Sequence, residues 1–78
     1  MLPNSSKIIH MSMFKIDLAS VPEKENLVAE IWHNEILIAE INQEKESLEI
    51  EFYPNEKLKF DLDEFLKAVE NAKRKISN

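Results

Sequence analysis

Residues 27 to 53, LVAEIWHNEILIAEINQEKESLEIEFY, constrain the fold most, because they predict three consecutive β-strands joined by short turns. Apolar and polar side chains alternate with period two over much of this segment, as they do in strands that bury one face. The segment also holds seven glutamates and one lysine, whereas the rest of the chain is almost balanced. The net charge of −5 therefore belongs to the predicted sheet.

Two predicted turns fix how these strands pair. Asn34-Glu35 can form a two-residue hairpin turn, because asparagine tolerates left-handed backbone angles. This turn sets Trp32 opposite Leu37 and Ile31 opposite Ile38. A second tight turn at Glu44-Lys45 would set Ile41 opposite Leu48. One predicted face then carries Val28, Trp32, Leu37, Ala39, Ile41, Leu48, Ile50 and Phe52, with Glu30 as the only acid. The other carries Leu27, Ala29, Ile31, His33, Ile36, Ile38 and Tyr53, together with Glu40, Glu49 and Glu51.

The flanking segments predict one more strand and a helix. Residues 13 to 18, MFKIDL, alternate as a half-buried strand, and residues 1 to 12 form a flexible lead or the start of that strand. Pro54-Asn55 predicts a turn, and residues 57 to 60 can add a short strand. A helix follows, with Asp61 and Glu64 as a capping box and Phe60 and Phe65 as a hydrophobic staple. Its apolar stripe consists of Leu62, Phe65, Leu66, Val69, Ala72 and Ile76.

These elements predict an α+β fold within one domain, residues 13 to 78. An antiparallel meander of four or five strands precedes one C-terminal α-helix, which we expect to pack on the sheet face that carries Trp32. The opposite face would be left uncovered.

Composition excludes several classes of function. With no glycine, the chain cannot build a phosphate-binding loop or a nucleophile elbow, and with no cysteine it has no disulfides. The acidic balance argues against nucleic-acid binding, and no apolar run is long enough to span a membrane. No signal sequence is recognisable, so a cytoplasmic location is expected. His10 and His33 have no metal-spaced partners, and no serine has an evident base. We expect no enzymatic activity, no metal and no cofactor.

The uncovered face is the candidate site. An apolar patch with a charged rim often marks a protein interface. We therefore predict a partner-binding surface made of Ile31, Ile36, Ile38, Glu40, Glu49, Glu51 and Tyr53. Two alternatives stay open. The glutamates could serve only solubility, with the aliphatic side chains covered by the N-terminal segment, or the chain could be a homodimeric interaction module.

Four segments, LVAEIW, ILIAEINQE, LEIEFYP and FDLDEFLKAVENAKRKI, together resemble small bacterial immunity proteins of polymorphic-toxin and contact-dependent inhibition systems. The resemblance covers residues 14 to 76 and includes no catalytic signature. It departs from the family pattern at the turns, where Asn34-Glu35 and Glu44-Lys45 stand in place of glycines. What the resemblance implies is a non-enzymatic inhibitor that binds a cognate toxin domain, which is expected to be basic.

Overall fold

A four-stranded antiparallel sheet and one helix make up the fold in a computed structural model, which describes residues 13–53 and 57–77. The strands are β1 (Phe14–Ala19), β2 (Val28–His33), β3 (Ile36–Asn42) and β4 (Glu49–Phe52), and they lie in the order β1-β2-β3-β4. The helix α1 (Leu62–Ser77) packs against β1 and β2. The predicted meander followed by a C-terminal helix is confirmed. Residues 57 to 60 form no strand, and both the predicted lead at residues 1 to 12 and the turn at Pro54-Asn55 lie outside the described residues.

The β2–β3 hairpin forms at the predicted turn. Asn34 and Glu35 have φ angles of 51° and 68°, both in the left-handed region that a two-residue hairpin of this kind needs. Trp32 lies opposite Leu37, as predicted. This turn starts the hairpin in the expected register.

A β-bulge then changes which residues share a face. Ile31 lies opposite Ala39 instead of Ile38, so Ile38 is an extra residue on β3. Side chains alternate between the two faces along a strand, so one extra residue in β3 shifts its alternation relative to β2. Ile31 and Ala39 therefore lie on the same face of the sheet. We call this face the core face and the opposite one the acidic face.

The helix covers the core face, so the prediction that it covers Trp32 is wrong. Ile31 and Ile38 are fully buried in one cluster with helix residues Ala68, Ala72 and Ile76. The alanines have short side chains, which let the helix lie close to the sheet. The remaining members of the cluster are Ile16, Ala29, Ala39 and Ile41, with Phe14, Phe60, Phe65 and Val69 packed at its margin.

The start of the helix matches the sequence signals. The Glu64 backbone N–H donates to Asp61 Oδ2 at 3.0 Å, and the Phe60 and Phe65 rings stack with centroids 5.5 Å apart. The predicted apolar stripe is only partly correct, because Leu62 and Leu66 are exposed.

The predicted tight turn at Glu44-Lys45 is wrong. Residues 43 to 48 connect β3 to β4, and Ile41 lies opposite Ile50 instead of Leu48. Glu44 has a different role, since its carboxylate accepts hydrogen bonds from the backbone N–H groups of Glu25 at 3.2 Å and Asn26 at 3.0 Å. The donors at Asn26 and Glu25 hold the pKa of the Glu44 carboxyl below its usual range. The loop between β3 and β4 is therefore hydrogen-bonded to the β1–β2 connection.

Candidate protein-binding surface

Four acidic residues form one row across the acidic face. Asp17 of β1 lies opposite Glu30 of β2, and Glu30 lies opposite Glu40 of β3. Glu40 in turn lies opposite Glu51 of β4. We call these residues the acidic row. Like charges directly opposite each other destabilise a sheet, so the row needs compensating groups.

Lys24 and Tyr53 compensate the centre of the row. Lys24, in the β1–β2 connection, places Nζ 3.5 Å from Glu40 Oε2 and 4.0 Å from Glu51 Oε1. The Tyr53 hydroxyl donates a hydrogen bond to the other oxygen of Glu40, Oε1. Glu40 is only 3% exposed, and each of its oxygens has a partner. It therefore stabilises the sheet and leaves little for another molecule to bind.

Tyr53 is affected by the same contact. The hydrogen bond to Glu40 raises the pKa of the Tyr53 hydroxyl above its ordinary value, and burial and the nearby carboxylates add to this effect. The tyrosine therefore stays protonated and keeps donating to Glu40 well into the alkaline range.

The β1 end of the row borders an open cavity of about 310 Å³ beside Trp32. The Trp32 indole N–H donates to Glu30 Oε1 at 3.2 Å, which fixes the ring against the row. Lys15 Nζ lies 3.9 Å from Asp17 Oδ2 at the exposed margin. The cavity is lined by Met13, Lys15, Asp17, Trp32, Asn34 and Glu35. A half-buried tryptophan beside a cavity and a carboxylate can anchor a basic or apolar side chain of a partner.

Apart from Glu40, the predicted site residues separate into three groups. Ile31 and Ile38 lie in the core beneath the helix, so their placement on the uncovered face is wrong, and the bulge at Ile38 is the reason. Glu49 and Glu51 are exposed on the acidic face, and Tyr53 is half-buried there. Ile36 is exposed opposite His33 at the turn end of the hairpin, and so it stands apart from the carboxylates. The partner-binding role of this set stays a prediction.

Four residues of the surface were missed from the sequence. Asp17 and Lys24 lie outside the predicted patch, and Glu30 and Trp32 had been placed on the face assigned to the core. Glu30 was the available signal, because a carboxylate among apolar side chains indicated that β2 turns its other face to the core, whereas Ala39 and Ile41 of β3 lie in the core as predicted.

No protein-family model, curated protein or solved structure matches this chain. Among the described residues, no group of three or more histidine, cysteine or acidic side chains could hold a metal ion. Within the same residues, no helix combines the length and apolar character that crossing a lipid bilayer requires.

Proposed function

We propose that this chain is a non-enzymatic, acidic protein-binding module that binds a basic protein partner through its acidic face. The single observation that carries the proposal is the acidic row, which spans all four strands and ends beside the Trp32 cavity. The helix packs on the opposite face, and although Glu40 at the centre of the row is buried beside Lys24, Glu49 and Glu51 on the same face are exposed. The arrangement offers both charge for attraction and a partly buried aromatic residue for anchoring.

The particular form that we propose is an immunity protein, which neutralises a cognate toxin domain in the bacterial cytoplasm. Support comes from the sequence resemblance described above and from electrostatic complementarity. Toxins that cleave nucleic acids need a basic surface for the phosphate backbone. An inhibitor with a row of carboxylates can occupy such a surface and exclude the substrate.

The two parts of the surface contribute differently to binding. Complementary charges mainly accelerate association, up to about 10⁸ M⁻¹s⁻¹ at low salt, and determine the choice of partner. Affinity depends more on desolvated aromatic and apolar contacts. We assign attraction to Glu49, Glu51 and Asp17, and anchoring to Trp32 and Tyr53.

Charge reversal tests the proposal, and the candidate partner is the C-terminal domain of any large secreted protein found to be encoded directly upstream of this gene. The double variant Glu49→Lys with Glu51→Lys removes exposed acids from the acidic face. The matched control, Asp63→Lys with Glu70→Lys, makes the same change in net charge on the exposed surface of α1. Stopped-flow association is measured for each variant over a range of salt concentrations.

We expect the acidic-face variant to associate about tenfold more slowly and with a flatter salt dependence, because steering depends on where the charges lie. The control should stay close to the parent protein. Equal slowing in both variants would mean that only net charge matters and that the acidic face is not the site. Failure of the parent protein to bind or protect against the toxin domain would reject the immunity role itself.

A further inference from the structure

β4 is an edge strand with an open side. It pairs with β3, and within the described residues no strand lies beyond it. All four of its residues are exposed. An open edge presents backbone groups that can pair with another chain, and proteins normally cover or charge such edges.

The direction of the free backbone groups follows from one hydrogen bond. The Tyr53 N–H donates to the Ile38 carbonyl of β3 at 2.9 Å. Because N–H and C=O groups alternate in direction along a strand, Glu51 also points towards β3, whereas Ile50 and Phe52 point outward. Ile50 and Phe52 therefore offer the donors and acceptors that an added strand would use.

The core-face side of β4 is apolar and uncovered. Ile50 is 41% exposed and Phe52 is 56% exposed. Ile50 lines a groove of about 480 Å³ between β4 and α1, together with Ile41, Ser47, Leu48, Glu49, Val69 and Lys73, and the Phe52 ring stacks on Phe65 of the helix with centroids 6.3 Å apart. An incoming strand would gain apolar contacts on this side.

The acidic-face side of β4 carries negative charge. Glu49 and Glu51 are both exposed, and each has a lysine within 4.0 Å, Lys45 for Glu49 and Lys24 for Glu51. The two sides together require a strand whose side chains alternate between basic and apolar.

A second copy of this chain fits the edge poorly. Residues directly opposite in an antiparallel pair lie on the same face, so two β4 strands related by a two-fold axis can pair in only a few ways. Centring on Ile50 sets Glu49 opposite Glu51 of the other copy, and centring on Glu51 sets this residue against itself. Both registers oppose like charges and are disfavoured. Centring on Phe52 avoids this repulsion but sets Ile50 opposite Pro54, a residue type that has no N–H to donate.

We propose that the β4 edge binds an extended segment of a partner protein, with alternating basic and apolar residues, as a fifth strand of the sheet. This inference rests on the proposed protein-binding function and adds the mode of binding. The basic residues would meet Glu49 and Glu51, and the apolar residues would meet Ile50 and Phe52. The backbone pairing supplies affinity, and the alternation supplies specificity.

The first test uses a short synthetic peptide that alternates lysine and valine, with a glutamate–valine peptide of equal length as its control. Binding to the full chain is followed by fluorescence anisotropy, and backbone amide exchange is followed by NMR. We expect the lysine–valine peptide alone to bind and to slow exchange at Ile50 and Phe52. No binding at millimolar peptide, or equal binding of both peptides, would overturn the inference.

The second test separates the backbone from the side chain. Ile50→Pro removes an outward N–H without removing a bond to β3, whereas Ile50→Ala keeps the N–H and shortens the side chain. We expect the proline variant to bind the lysine–valine peptide about tenfold or more weakly than the alanine variant, because main-chain hydrogen bonds provide much of the affinity of strand addition. Equal affinity for the two variants would overturn the inference.

The outcome is also distinguishable from a failure of the proposed function. Peptide binding that slows exchange elsewhere on the acidic face, and not at Ile50 or Phe52, rejects strand addition and leaves the acidic-face proposal intact. Amide exchange in the parent protein gives this answer even if the proline variant does not fold. Protection of these amides by rising protein concentration alone, without peptide, would instead indicate self-association through β4 and would overturn the inference.

Discussion

The β1–β2 half and the β3–β4 half of the sheet are built from similar residues but end in different environments. Ile31 of β2 is fully buried under α1, whereas Ile50 of β4 is 41% exposed. The edge at β1 is also partly closed, since the Ile16 carbonyl accepts a hydrogen bond from Lys75 Nζ at 3.5 Å. A helix about 10 Å wide cannot span four strands spaced about 4.8 Å apart. Ile38, Ala39 and Ile41 of β3 are still buried in the cluster with α1, so the part of the core face left for another molecule is β4, at the far edge of the β3–β4 half.

The largest expected effect compares the same substitution in the two halves. Ile31→Ala should lower the free energy of unfolding by about 3 kcal/mol, because it leaves a cavity in close-packed surroundings. Ile50→Ala should lower it by about 1 kcal/mol or less, since the side chain already contacts water. Urea unfolding of both variants measures the difference. Equal losses would mean that the β3–β4 half is as well packed as the β1–β2 half.

The second prediction concerns the charge balance that joins the halves on the acidic face. Lys24→Met keeps the aliphatic stem and removes the cation beside Glu40 and Glu51. We expect a loss of about 2 kcal/mol at neutral pH, because a buried carboxylate then lacks its partner and faces other carboxylates. The loss should be smaller when Lys24→Met is combined with Glu40→Gln, because the uncompensated negative charge is then absent.

Lys67→Met is the matched control, since Lys67 pairs with Glu64 at 3.8 Å on the exposed helix surface. It should cost less than about 0.5 kcal/mol. Chemical unfolding at neutral pH measures all of these variants. An equal loss from Lys24→Met with and without Glu40→Gln would show that packing of the lysine stem, and not charge, is responsible.

The same comparison shows which parts of the fold could be predicted from the sequence. The β2–β3 turn at Asn34 and the helix start at Asp61 depend on a few neighbouring residues, and both formed as expected. The alternation of β1 and the order of elements are also local signals. The order of the elements, the β2–β3 turn and the start of the helix could therefore be predicted from the sequence.

The face assignment could not be predicted because it depends on contacts between distant residues. A strict period of two placed Ile31 and Ile41 on different faces, and only the bulge at Ile38 brings them together. This bulge does not need a particular residue type, and the chain has no glycine that could have marked its position. The hydrogen-bond donors to Glu44 could not be predicted either, because they lie 18 and 19 residues away in the chain.

The third prediction tests the Tyr53–Glu40 contact in the β3–β4 half. Tyr53 is the only tyrosine, so the near-ultraviolet absorbance of tyrosinate reports its titration alone. We expect ionisation well above the ordinary pKa of about 10, since the hydroxyl donates to Glu40. Because the pKa is raised in the folded state, the stabilisation is complete below the unfolded value and is lost as pH rises through the folded value.

Tyr53→Phe isolates this effect from the titration of lysines. The variant should lose about 1 kcal/mol at neutral pH, because a carboxylate oxygen of Glu40 loses its donor. It should also show a shallower fall in stability in alkaline solution than the parent protein. Ionisation of Tyr53 near its ordinary pKa would contradict the contact.

The smallest expected effect concerns the turn that joins the two halves. Glu35 has a φ of 68°, which is unfavourable for a residue with a Cβ, so Glu35→Gly should stabilise the protein by about 0.5 to 1 kcal/mol. Asn34→Gly is the control and should gain less, because asparagine tolerates this region. Amide exchange in the Glu35→Gly variant then tests whether the two halves of the sheet open together. Slower exchange in β2 but not in β4 would show that β4 frays independently, whereas an equal gain in both strands would show that the halves open together.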